Sequence, residues 1–119
     1  MAAAALNTLD GKTTVAVAVN STTLTGAAGD LVTAYAAQGS TISGLGNEAV
    51  TVNSGTASVA QVNTLASATS GTLTATVTEG DMSTLAGISE SGNALTVTVT
   101  DTSIDAAALT LLTVRQQLQ

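Results

Sequence analysis

Four stretches of the chain alternate apolar with polar or small residues: "TVAVAVN" (14–20), "EAVTVN" (48–53), "TLTATVT" (72–78) and "ALTVTVT" (94–100). Such period-2 alternation predicts strands with one face buried. The inward set is Val15, Val17, Val19, Val50, Val52, Leu73, Val77, Leu95, Val97 and Val99. Each such aliphatic, once fully buried, contributes about 1.5–3 kcal/mol. The outward set is Thr51, Thr74, Thr76, Thr96 and Thr98, with Ala16 and Ala18 in the first strand. Threonine combines good strand propensity with a hydroxyl that tolerates water, which predicts a solvated sheet face.

Between these stretches the spacing turns helical. "SVAQVNTLASA" (58–68) sets Val59, Val62 and Leu65 on one stripe, and Ser58 followed by Gln61 has the form of a capping box. "DMSTLAGI" (81–88) repeats the idea with Met82, Leu85 and Ile88 behind Asp81 as N-cap. "AAAALNTL" (2–9) pairs Leu6 with Leu9, and "DLVTAYAA" (30–37) reads as another helix. "DAAALTLLTVRQQLQ" (105–119) sets Leu109 and Leu112 one turn apart and facing inward, with Arg115, Gln116, Gln117 and Gln119 toward water, as a helix closing a stack requires. Strands joined through helices cannot form tight hairpins and are expected to lie parallel in one sheet.

The units repeat imperfectly. Aligned on their last apolar residues, Val19, Val52, Val77 and Val99, the strands recur at intervals of 33, 25 and 22 residues. Residues 53–65 lie on 100–112 without a gap, matching Ala57 with Ile104, Ala60 with Ala107, Val62 with Leu109 and Leu65 with Leu112. Residues 2–9 likewise resemble 105–112, as though the beginning of the chain recurred at its end. The fold class expected is an α/β solenoid: parallel strands on one side, short helices or turns between them, four to five irregular coils and a C-terminal capping helix. A mainly-β solenoid is the alternative. The coils fall at 2–20, 21–53, 54–78 and 79–100, with a cap at 101–119, in one repeat domain read as a slice of a longer tandem array.

Composition sharpens this picture. Of 119 residues 45% are hydrophobic, yet Tyr35 is the only aromatic. A core without the large rings that normally dominate burial must be built of Ala, Val, Leu and Ile in thin layers, which favours a stack over a ball. The net charge is -6, with Lys12 and Arg115 the only basic side chains, so neither nucleic acid nor membrane insertion is expected. There is no cysteine and hence no disulfide or thiolate site. "MAAAALNTL" lacks a basic n-region and an apolar segment of signal-peptide length, which predicts that any export is directed from outside these residues.

"LNTLDGKTTVAV", "TTLTGAAGDLVTAYAAQG", "ISGLGNEAVTV" and "TASVAQVNTLASATSGTLTATVTEGDMSTLAGISESGNALTVTVTDTSIDAAAL" resemble the Thr- and Ala-rich repeats of giant, motility-associated cell-surface proteins of marine cyanobacteria such as swimming Synechococcus. The likeness covers nearly the whole chain and departs at "LTLLTVRQQLQ". It implies an extracellular, multi-copy structural module at the cell surface, whose partners are neighbouring repeats or further copies in an oligomer or filament. The expected function is a non-enzymatic stiff spacer or self-assembling layer or fibre element. The alternative is an adhesion module whose outward face, Thr51, Thr74, Thr76, Thr96 and Thr98, meets polysaccharide, another cell surface or ice; ranks of threonine resemble the flat arrays of ice-binding solenoids.

The inventory for catalysis is nearly empty. Without His or Cys neither a Ser-His-Asp triad nor a His/Cys metal site can be assembled, and no catalytic residue is expected. Asp10, Asp30, Glu48, Glu79, Asp81, Asp101 and Asp105 fall at apparent turns and helix starts, where a carboxylate caps free N–H groups; Glu79 and Asp101 each look like the opening of the turn into the next helix. "EGD" (79–81) and "DGK" (10–12) faintly resemble calcium-binding turns but lack the ligand spacing, so no cofactor is expected, calcium at these turns being the alternative. "SGLGNE" (43–48) precedes a strand rather than a helix and has no lysine, which makes it a turn and not a phosphate loop.

Overall fold

The computed structural model describes residues 1–117. Their elements run α1 (Ala3–Asp10), β1 (Val17–Ala18), β2 (Thr23–Ala27), α2 (Ala28–Ala36), β3 (Ile42–Ser43), β4 (Ala49–Ser54), α3 (Val59–Ala68), β5 (Leu73–Thr76), α4 (Met82–Leu85), β6 (Ala94–Thr96) and α5 (Ala106–Gln117). The result is an α/β fold with all its strand pairs parallel: a four-stranded sheet in the order β2-β4-β5-β6 and a two-stranded sheet of β1 and β3. The helices form a second layer in which α1 packs on α2, α2 on α3 and α4 on α5.

Local signals explain most of the helices. The capping box of α3 is complete: the Gln61 N–H donates to Ser58 Oγ at 3.1 Å and the Ser58 N–H donates to Gln61 Oε1 at 3.0 Å. Asp81 caps α4 by accepting the Thr84 N–H at 3.0 Å. Helix α2 begins at Ala28, two residues ahead of the expected Asp30, which sits in its first turn. Between the layers lies a core of small aliphatics in which Leu24, Leu31, Ile42, Val50, Val62, Leu65, Leu73, Leu85 and Ile88 are fully buried.

The first strand differs from the expectation. "TVAVAVN" contributes only Val17 and Ala18, paired with Ile42 and Ser43 outside the main sheet, and Val15 is 74% exposed. The first place in the main sheet belongs to Thr23–Ala27, whose Leu24 registers with Val50 and is fully buried. Chain path decides this: β2 runs directly into α2, whereas β1 lies on the return from α1, as β3 lies on the return from α2. The true register therefore links Leu24, Val50 and Leu73, and Ala75 with Leu95, giving steps of 26, 23 and 20 residues. The first step is the longest because it alone contains a return strand, β3, and the last is the shortest because α4 has four residues where α3 has ten. Leu109, at 39% exposure, also departs from the inward placement expected of it, and Leu9, paired with Leu6 in the helical reading, is 53% exposed, while Leu6 and Leu112 are buried. Each exposed leucine lies on the first or last helix of the row. The placement of the side chains of Arg115, Gln116, Gln117 and Gln119 falls outside what the structure describes.

The molecule measures 53 × 23 × 19 Å with a radius of gyration of 15.4 Å, against about 13.5 Å for a globule of this length. Its two sheet edges differ. The edge of β2 is covered by the start of the chain: the Thr25 N–H donates to the Met1 carbonyl at 2.8 Å, the Met1 ammonium donates to the Thr23 carbonyl at 3.1 Å, and Ala2 bridges Thr25. Strand β6 ends the sheet at the other side.

So thin a core requires backbone to approach backbone. Gly44 lies under Val19 at φ +87°, and a Cβ there would run into the Val19 carbonyl. Replacing Gly44 by Ala should lower stability by about 1–3 kcal/mol, read as a reduced urea midpoint at unchanged m. Gly29, inside α2 with open space around it, should behave oppositely: Gly29→Ala is expected to raise stability by about 0.4–1 kcal/mol.

Candidate functional site

The outward face of the main sheet is the surface on which the candidate residues can be tested. Register sets Thr25, Thr51 and Thr74 side by side on three successive strands, and Thr76 beside Thr96 on the next pair. Thr74, Thr76, Thr96 and Thr98 are exposed and Thr51 is half-buried. Neighbouring hydroxyls in a parallel sheet stand about 4.8 Å apart across strands and about 7 Å apart along one. Four of the five expected residues are thus brought together in two short ranks, and Thr98 follows beyond the paired part of β6. Thr25 belongs to the first rank although the sequence pattern did not single it out; "TLT" before "GAAGD" was too short an alternation to compete with "TVAVAVN". The face is interrupted at Ala94, which registers with Thr74, and at Ala49, which registers with Thr23.

A second constellation lies inside. Glu48 is completely buried, its carboxylate accepting the Tyr35 hydroxyl at 2.7 Å and the Gly46 N–H at 2.9 and 3.0 Å. Thr69 donates to the Glu48 carbonyl at 2.6 Å and accepts the Gly71 N–H at 3.1 Å. Burial pushes the Glu48 carboxyl up, but the Gly46 N–H, the Tyr35 hydroxyl and the N–H groups of Glu48 and Asn47 together hold it below its ordinary value. Burial, then the adjoining carboxylate, pushes the Tyr35 phenol up, so it stays a proton donor. Glu48 thus meets a free N–H at a turn, as the sequence reading expects, and in addition is buried against Tyr35. Its signal was faint: the one tyrosine, inside an alanine stretch, and a glutamate between the turn "SGLGN" and the strand "AVTV".

The remaining carboxylates are capping groups, but two reach in the direction opposite to the expected one. Glu79 accepts the Val59 N–H at 3.0 Å and Asp101 accepts the Met82 N–H at 2.8 Å. Each therefore caps the N-terminus of the preceding helix, 20 and 19 residues back, rather than that of the next one. Asp81 and Asp105 do cap their own helices, the latter accepting the Ala107 N–H at 2.8 Å. The Thr84 and Ser83 hydroxyls and the Thr84 N–H lower the Asp81 carboxyl to about 2. Asp10 ends α1 instead of starting a helix, and its Oδ2 accepts the Thr41 hydroxyl at 2.8 Å.

Among the described residues, no group of three or more Asp, Glu, His or Cys side chains is arranged to hold a metal ion, and no helix is long and apolar enough to cross a membrane. "SGLGNE" is a turn, with Gly44 and Gly46 both at positive φ. Compared with protein-family models, with curated proteins and with solved structures, the chain matches none.

The Glu48 cluster carries a pH signature. Because folding holds this carboxyl below its unfolded value of about 4.3, its contribution is present above that pH and is lost as pH falls through the folded value. Tyr35→Phe removes one of the groups holding it down. The variant should lose about 1.5–3 kcal/mol at pH 7, the range for a hydrogen bond to a charged group. Its deficit should narrow on acidification to pH 3, measured by urea unfolding at both pH values.

Proposed function

We propose that the chain is a non-enzymatic structural module, a short parallel solenoid that supplies length and stiffness to an extracellular, cell-surface protein. The observation that carries the reading is the order of the stack. Strands β2, β4, β5 and β6 are neighbours in the same order as they occur in sequence, every pairing is parallel, and the body is more than twice as long as it is wide. In such a stack each coil touches only its neighbours, so stability and load are passed from coil to coil. Glu48, Glu79, Asp81, Asp101 and Asp105 each accept a backbone N–H, a structural role, and the resemblance to cyanobacterial surface repeats supports the extracellular setting. Small-angle scattering of the dilute chain tests it: a radius of gyration near 15.4 Å and a longest dimension near 53 Å are expected, whereas a compact particle near 13.5 Å overturns the reading.

The registered threonines favour a second reading, adhesion through the outward face. On that reading the purified chain inhibits ice recrystallisation or is retained by an insoluble polysaccharide, and Thr74→Lys with Thr96→Lys abolishes the effect. Absence of both activities at high concentration ends it.

A further inference from the structure

The two ends of the molecule expose complementary parts of one repeated arrangement. Helix α3 has a coil on each side, and its Ala57, Val62 and Leu65 positions are all fully buried. Helix α5 aligns with it without a gap, but has a coil only before it. There Leu112, the counterpart of Leu65, is 5% exposed, while Ile104 and Leu109, the counterparts of Ala57 and Val62, are 37% and 39% exposed. Ala57 in the interior is covered by the following coil, bridging Val77 through the Ala57 N–H to the Thr76 carbonyl and the Thr78 N–H to the Ala57 carbonyl. Nothing follows Ile104 in that way among the described residues. Helix α1 has a coil only after it and displays the reverse: Leu6, the counterpart of Leu109, is 3% exposed, and Leu9, the counterpart of Leu112, is 53% exposed.

The tail end also holds an apolar groove of about 410 Å³ between β6 and α5, lined by Leu95, Val97, Val99, Leu109 and Leu112. It continues the interface that each interior coil makes with the next, along the same sheet and the same row of helices. Residues 90–114 carry Glu90, Asp101 and Asp105 and no basic side chain, and the head presents Lys12 together with Asp10 near the exposed Leu9 and Val15.

We propose that the β6–α5 groove receives the α1 end of a second copy of this chain, in a head-to-tail contact that buries Ile104 and Leu109 of one copy against the Leu9 side of the other. This rests on the stacked-coil reading above and extends it by naming the partner and the surface. A heterologous contact of this kind does not close on itself, so it propagates as an open filament.

The test uses the 119-residue chain in sedimentation and light scattering. Mass should rise with concentration in steps of the 11.5 kDa monomer. Leu9→Asp blocks the head and Leu109→Asp blocks the tail; each variant alone should remain monomeric, and an equimolar mixture should stop at a two-chain species, because each supplies the end the other lacks. Both positions are exposed, and far-UV circular dichroism with a milder Leu109→Ser variant separates loss of association from loss of folding. Three results overturn the proposal: a wild-type chain that stays monomeric throughout, a Leu9→Asp chain that assembles like the wild type, or a mixture in which no two-chain species forms. A monomer that scatters as a rod of about 53 Å removes the association and leaves the structural reading standing; a compact monomer removes both.

Discussion

Successive strand–helix units of this protein satisfy one another's polar backbone groups, and the rest of the structure depends on that constraint. The N–H of Val59 opens α3 and is met by Glu79; the N–H of Met82 opens α4 and is met by Asp101; the N–H of Leu73 is met by the buried Asn93 side chain. The Glu48 carbonyl takes the Thr69 hydroxyl, and Asn63 donates to the Gly87 carbonyl while accepting the Ser89 N–H. All these partners are 19 to 26 residues apart. A buried group left unpaired costs about 1–3 kcal/mol, so the units hold their register through polar contacts as well as apolar ones.

The scarcity of large side chains has the same consequence. A core of alanine, valine and leucine fills a layer only if the backbones on its two sides come close, which is why glycine stands under the Val19 and Glu48 carbonyls, at Gly44 and Gly71. The one aromatic residue is the exception that required a partner. Tyr35 places its hydroxyl inside the stack, and Glu48 receives it with further N–H donors to support the charge. A buried ion-bearing cluster is not a general source of stability. Here it joins α2, the turn before β4 and, through the Thr69 hydroxyl on the Glu48 backbone, the turn after α3.

An extended body built this way has little need of a pocket. The polar groups that remain outside are chiefly threonine hydroxyls on the sheet face, and several are occupied locally, as in the Thr56–Thr78 pair at 2.7 Å. The two ends of the sheet differ. One edge of the sheet is covered by the first two residues, while the other presents β6 with an apolar groove beside it.

Periodicity alone was enough to give the parallel α/β character, the strands at β4, β5 and β6, and the starts of α3 and α4, because alternation, helical spacing and N-caps are properties of neighbouring residues. The same pattern misassigned the first strand, since "TVAVAVN" alternates as well as any other stretch and period 2 says nothing about pairing. Which segment joined the sheet was decided by the direct run of β2 into α2 and by the room left beneath Val19 for a glycine. The outward threonines were legible individually, whereas the rank that adds Thr25 followed only from register. Glu48, Glu79 and Asp101 were legible as charges but not as to what they hold, because their partners come from other elements, about 13 to 20 residues away for the groups that decide their roles. Local order is set by side chains a turn or a pleat apart; burial and hydrogen-bond pairing between successive strand–helix units exist only once the chain has closed on itself.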